Sequence, residues 1–287
     1  MANLFATLKP DEPPPAYRLE SYQTQNISAS EKLCDSVLGV GTISVETALD
    51  LGGKPLYYSS GEGKEGMNCL HLACRSADTD TIELLLASYV EHSNDKNALR
   101  DALLSKTHIG QETPILIAAE AGNLSVLMLL LSKEGADPLA TNGYGSSMLH
   151  LAVRASHNTL PTVKAILSWG TSENPSALSR LLKGSNNRGV GVVTHALFAE
   201  PEETAEALVH ELVAAGADVN QSDREGMRAL HHAAIIKSAT LIKTLLSLGA
   251  EKSAHDEYGR TASDVLKAMA GKDTKMTQDN LALLALF

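Results

Sequence analysis

Apolar residues in this chain come in short clusters at helical spacing, and the clusters arrive in pairs. In the first cluster of a pair, as at Leu149 and Ala152, leucine and alanine stand three apart and form one stripe of a helix. Small alanines there let neighbouring helices approach closely. The second cluster is richer in leucine, as from Val126 to Leu131. Polar and small residues mark the ends. Thr113-Pro114 opens a first helix, the hydroxyl as N-cap and the proline at N1, where a missing N–H costs nothing. Gly135, Gly216 and Gly249 follow second helices, where a left-handed residue is favoured, and Asp137 and Asp218 then favour a turn. Upstream, Ser30–Leu38 and Ser44–Leu51 predict two further short helices, with Gly52-Gly53 and the Ser59–Gly63 stretch as breaks after them.

One phrase returns almost unchanged. Gly66-Met67-Asn68-Cys69-Leu70-His71-Leu72-Ala73 is echoed by Gly145-Ser146-Ser147-Met148-Leu149-His150-Leu151-Ala152 and by Gly226-Met227-Arg228-Ala229-Leu230-His231-His232-Ala233. Thr113-Pro114-Ile115-Leu116-Ile117-Ala118-Ala119 is a fourth copy, with Leu116 in the histidine's place. The downstream phrases Gly135-Ala136-Asp137, Gly216-Ala217-Asp218 and Gly249-Ala250-Glu251 recur too. This pattern resembles the ankyrin-repeat signature G-x-T-P-L-H-x-A. Gly66, Gly110, Gly145, Gly189, Gly226 and Gly259 step by 44, 35, 44, 37 and 33 residues, against a family period of about 33. The two long steps carry similar insertions, Asn97–Leu104 and Ser176–Leu182, each read as an added helix. Around Thr194-His195-Ala196-Leu197 the signature fits in more than one register, and Asp264 stands where the last histidine belongs.

The resemblance implies an all-α fold, an ankyrin-repeat solenoid of about five to six helix-turn-helix repeats with helical caps at both ends. An open end of such a stack exposes an apolar face, so caps are physically required. The expected division is a flexible, proline-containing arm over 1–27, a helical N-terminal cap over 28–61, repeats over 62–270 and a C-terminal capping helix over 271–287.

Charge and composition narrow the function. A formal charge of −10 argues against binding a phosphate backbone, so no nucleic-acid partner is expected. No stretch approaches the roughly 20 apolar residues of a membrane span, and Met1–Lys9 lacks the apolar run of a signal peptide. Three cysteines, Cys34, Cys69 and Cys74, read as packed thiols of a reducing compartment. The expected location is the cytoplasm, including a host's cytoplasm after export. His71, His150 and His231 recur in equivalent, non-adjacent units. The reading is that each bonds an adjacent turn, with no metal and no cofactor. No nucleophile, zinc or phosphate-loop motif appears, so an enzyme is not expected. An enzymatic site in the N-terminal region or the insertions remains an alternative.

The resemblance implies protein binding without chemistry of its own. By position, the resemblance places a partner protein on the concave face of turn tips and first helices. The residues it implies are Lys64, Glu65, Met67, Arg75, Ile109, Glu112, Glu120, Tyr144, Ser146, Arg154, Arg224, Glu225, Met227, Ile235, Ile236, Tyr258 and Arg260. Arg75 and Arg154 share one repeat position, and Ile235-Ile236 puts apolar side chains where exposure is usual. The long-insert repeats are similar to those of ankyrin-repeat effectors of intracellular bacteria, acting as a monomeric, non-catalytic scaffold. A second reading is a eukaryotic-type cytosolic adaptor that recruits a WW-domain protein through Pro14-Pro15-Ala16-Tyr17, which has the P-P-x-Y form of a WW-domain ligand.

Overall fold

The computed structural model describes residues 29–41, 43–53, 66–91, 93, 97–270 and 278–287. Sixteen helices and no strands occur among them. Two rows of helices run side by side. The inner row is α3 (Cys69–Ser76), α6 (Pro114–Ala121), α8 (Met148–Ala152), α11 (Val192–Ala196), α13 (Ala229–Ile236) and α15 (Ala262–Ala270), each packed on the next. The outer row is α4 (Thr79–Glu91), α7 (Leu124–Ser132), α9 (Thr159–Ser172), α12 (Glu202–Ala214) and α14 (Ala239–Ser247), likewise in sequence. α1 (Ala29–Val37) packs on α2 (Val45–Asp50) and α3, and α16 (Gln278–Leu284) packs on α15. The two insertions form α5 (Ala98–Leu104) against α4 and α6, and α10 (Pro175–Lys183) against α9. The all-α solenoid read from the sequence is the fold.

The recurring histidine explains why short inner helices hold. Helices of five to nine residues are not stable alone in water; here the cap is shared with the next repeat. His150 Nδ1 accepts the Ser147 amide, so the ring proton lies on Nε2 and is donated to the Val190 carbonyl at 3.2 Å. His71 does the same from Asn68 to Ser105, and His231 from Arg228 to Arg260. Each ring thus closes its own helix start and bonds the following turn. Asp264, at the equivalent place in α15, accepts from the Thr261 amide and hydroxyl. A carboxylate can fill the cap but has no proton to pass onward, which suits a repeat whose helix meets no further signature turn.

The register of the fourth repeat is resolved by its turn. Gly191 is the N-cap of α11, so Thr194 takes the histidine position and His195 the next one, equivalent to His232.

Two of the three cysteines are not the packed thiols expected of them. Cys34 on α1 and Cys69 at the start of α3 are joined in a disulfide, their Cα atoms 4.8 Å apart across 35 residues of sequence. Both are fully buried, and only Cys74 is a thiol; burial pushes it up. Packing brings the pair together, and no spacing rule would have shown it. Reduction, or Cys34→Ser, should lower stability by roughly 3–4 kcal/mol in the chain-entropy treatment of a loop this long. Urea denaturation with and without reductant measures this. An unchanged midpoint would remove the disulfide from the account.

Candidate partner-binding face

The turns between repeats are hairpin tips built around one side-chain oxygen. Asn142 Oδ1 accepts the amides of Tyr144 and Ser146, both at 3.0 Å. Asn186 accepts from Arg188 and Val190, Asp223 from Glu225 and Met227, and Asp256 from Tyr258 and Arg260, all between 2.9 and 3.1 Å. Such Asx turns hold a tight reversal without helix or sheet. A glycine at positive φ completes each one, at Gly145, Gly189, Gly226 and Gly259. Successive tips are bonded in register: Gly143 N–H to Gly110 O, Asn187 to Tyr144, Arg224 to Arg188 and Glu257 to Glu225, at 2.8 to 3.0 Å. The tips therefore form one continuous row over the inner helices.

This turn geometry decides which predicted residues face outward. Ile109, Tyr144, Arg224, Glu225 and Tyr258 sit at tips and are exposed. Ser146 and Met227 are buried, contrary to the expectation of exposure, and so is Met67 at the same position. Asn142 N–H bonds Ser146 O and Asp223 N–H bonds Met227 O, so the hairpin closes back and turns that side chain beneath the tip. Glu112 and Arg260 share the position but are long enough to remain half-buried. Arg260 pairs with Asp256 at 2.6 Å and lies over the Tyr258 ring. Lys64, Glu65, Pro14, Pro15 and Tyr17 fall outside the described residues.

On the inner helices, the residue seven past the capping position forms a column running along the stack: Arg75, Glu120, Arg154, Phe198, Ile235 and Ala268. Its first half is a charge ladder. Burial raises the Glu120 carboxyl above its ordinary value, and Arg75 and Arg154 hold it back down. Glu112 is raised by burial and by Glu120, and is countered by Arg75 and the Asn142 side chain. The structure thus brings Arg75, Glu112, Glu120 and Arg154 into one half-buried network. The second half of the column is apolar. Phe198 and Ile236 are each 38% exposed, and Ile235 is half-buried.

Beneath this face lie His195 and His232. Each bonds the oxygen-bearing turn residue of its own repeat, His195 Nε2 to Asn186 Nδ2 at 3.3 Å and His232 Nε2 to Asp223 Oδ2 at 3.0 Å. Because Asn186 spends its oxygen on two amides, its NH2 must donate, so the His195 proton sits on Nδ1. Burial, reinforced by His150, Arg154 and Arg188, holds His195 down at about 3. Phe198 meets the His232 ring edge-on. Among the described residues no group of three or more His, Cys, Asp or Glu could hold a metal ion, and no helix is long and apolar enough to cross a membrane.

Arg188 and Phe198 were absent from the sequence-derived set. The four-residue pattern Asx-x-x-Gly at Asn142, Asn186, Asp223 and Asp256 was the signal that would have placed them.

Three sequence profiles described as ankyrin repeats match the chain: a single repeat over residues 65–98, three copies over 90–177 and many copies over 194–246. Similar solved structures include the ankyrin repeat domain of Bcl-3, described as a unique member of the IkappaB protein family. It aligns with a TM-score of 0.59 at 19% identity, covering 92% of this chain and 100% of that one. A chain in the complex of the Bd0816 predatory endopeptidase of Bdellovibrio bacteriovorus with immunity protein Bd3460 aligns with a TM-score of 0.54 at 21% identity, covering 75% and 96%. At these identities the likeness is one of fold.

Proposed function

Because this chain belongs to the ankyrin-repeat family, we propose that it is a non-catalytic scaffold that holds a partner protein on its tip-and-inner-helix face. One observation carries the reading. Of the nine exposed large hydrophobic residues described, Ile109, Tyr144, Phe198, Ile236 and Tyr258 lie on this one face. Exposed aromatic and aliphatic side chains beside arginines are the composition of interface hot spots. One similar structure is described as a member of the IkappaB protein family and the other belongs to a peptidase–immunity protein complex, which is in keeping with a binding role.

The proposed setting is that of an effector delivered into a host cell, where it engages a host protein. The similarity of the long-insert repeats to bacterial effectors supports this. The Pro14-Pro15-Ala16-Tyr17 segment supports a second reading, recruitment of a WW-domain protein by the arm.

Affinity capture from eukaryotic lysate with wild type, Arg154→Glu and Tyr17→Ala separates these readings. Under the proposal, Arg154→Glu lowers partner recovery tenfold or more while far-UV circular dichroism keeps its helical signal. Loss with Tyr17→Ala alone would transfer the function to the arm. Equal recovery with all three would sink both readings.

A further inference from the structure

The middle of the inner face joins two kinds of surface. Its floor, Phe198, Ile235 and Ile236, is the exposed apolar part of the column and its neighbour on α13. Its tip side carries Arg188, exposed at the turn of the fourth repeat, with Arg224 beside it through the amide bond from Arg224 N–H to Arg188 O. Neither guanidinium makes an ion pair among the described residues. Arg154 and Arg188 both oppose protonation of the buried His195 beneath this face. Two exposed guanidinium groups without carboxylate partners among the described residues therefore stand on adjacent tips here, within a chain whose formal charge is −10. The nearby carboxylates are Glu120, which is set against Arg154, Glu225 and Glu257 on the later tips, and Glu200 past the end of α11.

We propose that this part of the inner face takes a short acidic-apolar segment of the partner protein, with an Asp or Glu carboxylate on Arg188 and Arg224 and adjacent apolar side chains on Phe198 and Ile236. The proposal rests on the scaffold reading and specifies the chemistry of the partner. Guanidinium forks recognise carboxylates with two parallel hydrogen bonds, and partial desolvation beside an apolar floor strengthens them. The apolar contacts supply the anchor, and the carboxylate fixes where along the face the segment sits. The cations contribute steering as well, so the complex weakens with salt.

The test is selection of random 16-residue peptides displayed against the full chain, followed by fluorescence polarisation of the synthetic winners. The expected winners carry Asp or Glu within about four residues of Leu, Ile, Phe or Met. Their affinity falls tenfold or more in Arg188→Glu and in Ile236→Glu, and also falls between 50 and 300 mM NaCl. Arg188 is exposed and its hydrogen bonds at this turn run through its backbone, so Arg188→Glu is expected to keep the wild-type melting temperature at pH 7, which guards against a trivial loss of folding. Basic or uncharged winners that are lost with Ile236→Glu would overturn the acidic-apolar chemistry and leave the face reading standing. Acidic-apolar winners indifferent to both substitutions would overturn the face reading itself. No enrichment, tighter binding of phosphoserine versions than of the carboxylate peptides, or displacement by poly(U) RNA would each overturn the inference.

Discussion

Lowering the pH from 7 to 4.5 is expected to cost the repeats several kcal/mol of stability. His71 and His150 are held down to about 4 by burial, and His195 to about 3 by burial and neighbouring cations. Burial also lowers His231. In the unfolded chain these rings return to about 6.5. Between about 6.5 and 4 the unfolded state binds more protons than the folded one, so stability rises with pH across that window. It is fully present above 6.5 and drains away as the pH falls. At pH 4.5 each of the first three rings contributes a loss of about 2–3 kcal/mol. Glu112 and Glu120 act with the opposite sign, since their folded-state values are raised and protonation relieves them. They offset part of the loss. Burial is the main cause, and His71 and His150 must also accept an amide at Nδ1, which a doubly protonated ring cannot do. Thermal melts followed by circular dichroism at pH 7, 6, 5 and 4.5 measure the effect. A melting temperature that stays level or rises on acidification would refute the shared-cap account of the fold.

Gly122→Ala should be among the most damaging single substitutions in the chain. Gly122 caps α6 at φ 70°, and a Cβ there would stand 1.8 Å from the carbonyl oxygen of His157. Backbone would have to move, in addition to the cost of the left-handed conformation. The neighbouring repeat depends on that approach: Ser156 N–H bonds Glu120 O at 3.1 Å, and the Asn158 side chain bonds Gly122 O at 3.3 Å. We expect a loss of about 3 kcal/mol or more. Binding should weaken with it, because displacement of this loop separates Arg154 from Glu120. Lys237 is the control. It caps α13 in the same left-handed region at φ 61° without being glycine. Lys237→Gly should therefore gain up to about 1 kcal/mol. Urea titrations of the two variants compare them directly. A Gly122→Ala loss no larger than that of an ordinary surface change would show that the two repeats do not meet as closely as described.

Much of this architecture was written in local sequence. The helix pairs, the histidine that bonds a turn, the glycines after second helices and the two inserted helices all depend on residues within one repeat. Caps, turns and helical stripes are short-range physics, and a repeat protein multiplies the short-range signal by copying it. Asp264 in the last copy was legible for the same reason.

Other features belong to the folded chain alone. The burial of Ser146 and Met227 follows from how the Asx hairpin closes, which a signature does not encode. The register of the fourth repeat became definite once Asn186 was seen to bond Arg188 and Val190. The Cys34–Cys69 bond ties the capping helix to the first repeat, and the Arg75–Glu112–Glu120–Arg154 network spans the first three repeats. Sequence by itself determined the repeat and its helices because those are set by neighbours along the backbone. Tertiary structure decided which side chains the face presents, because stacking fixes exposure and charge environment only when one repeat meets the next.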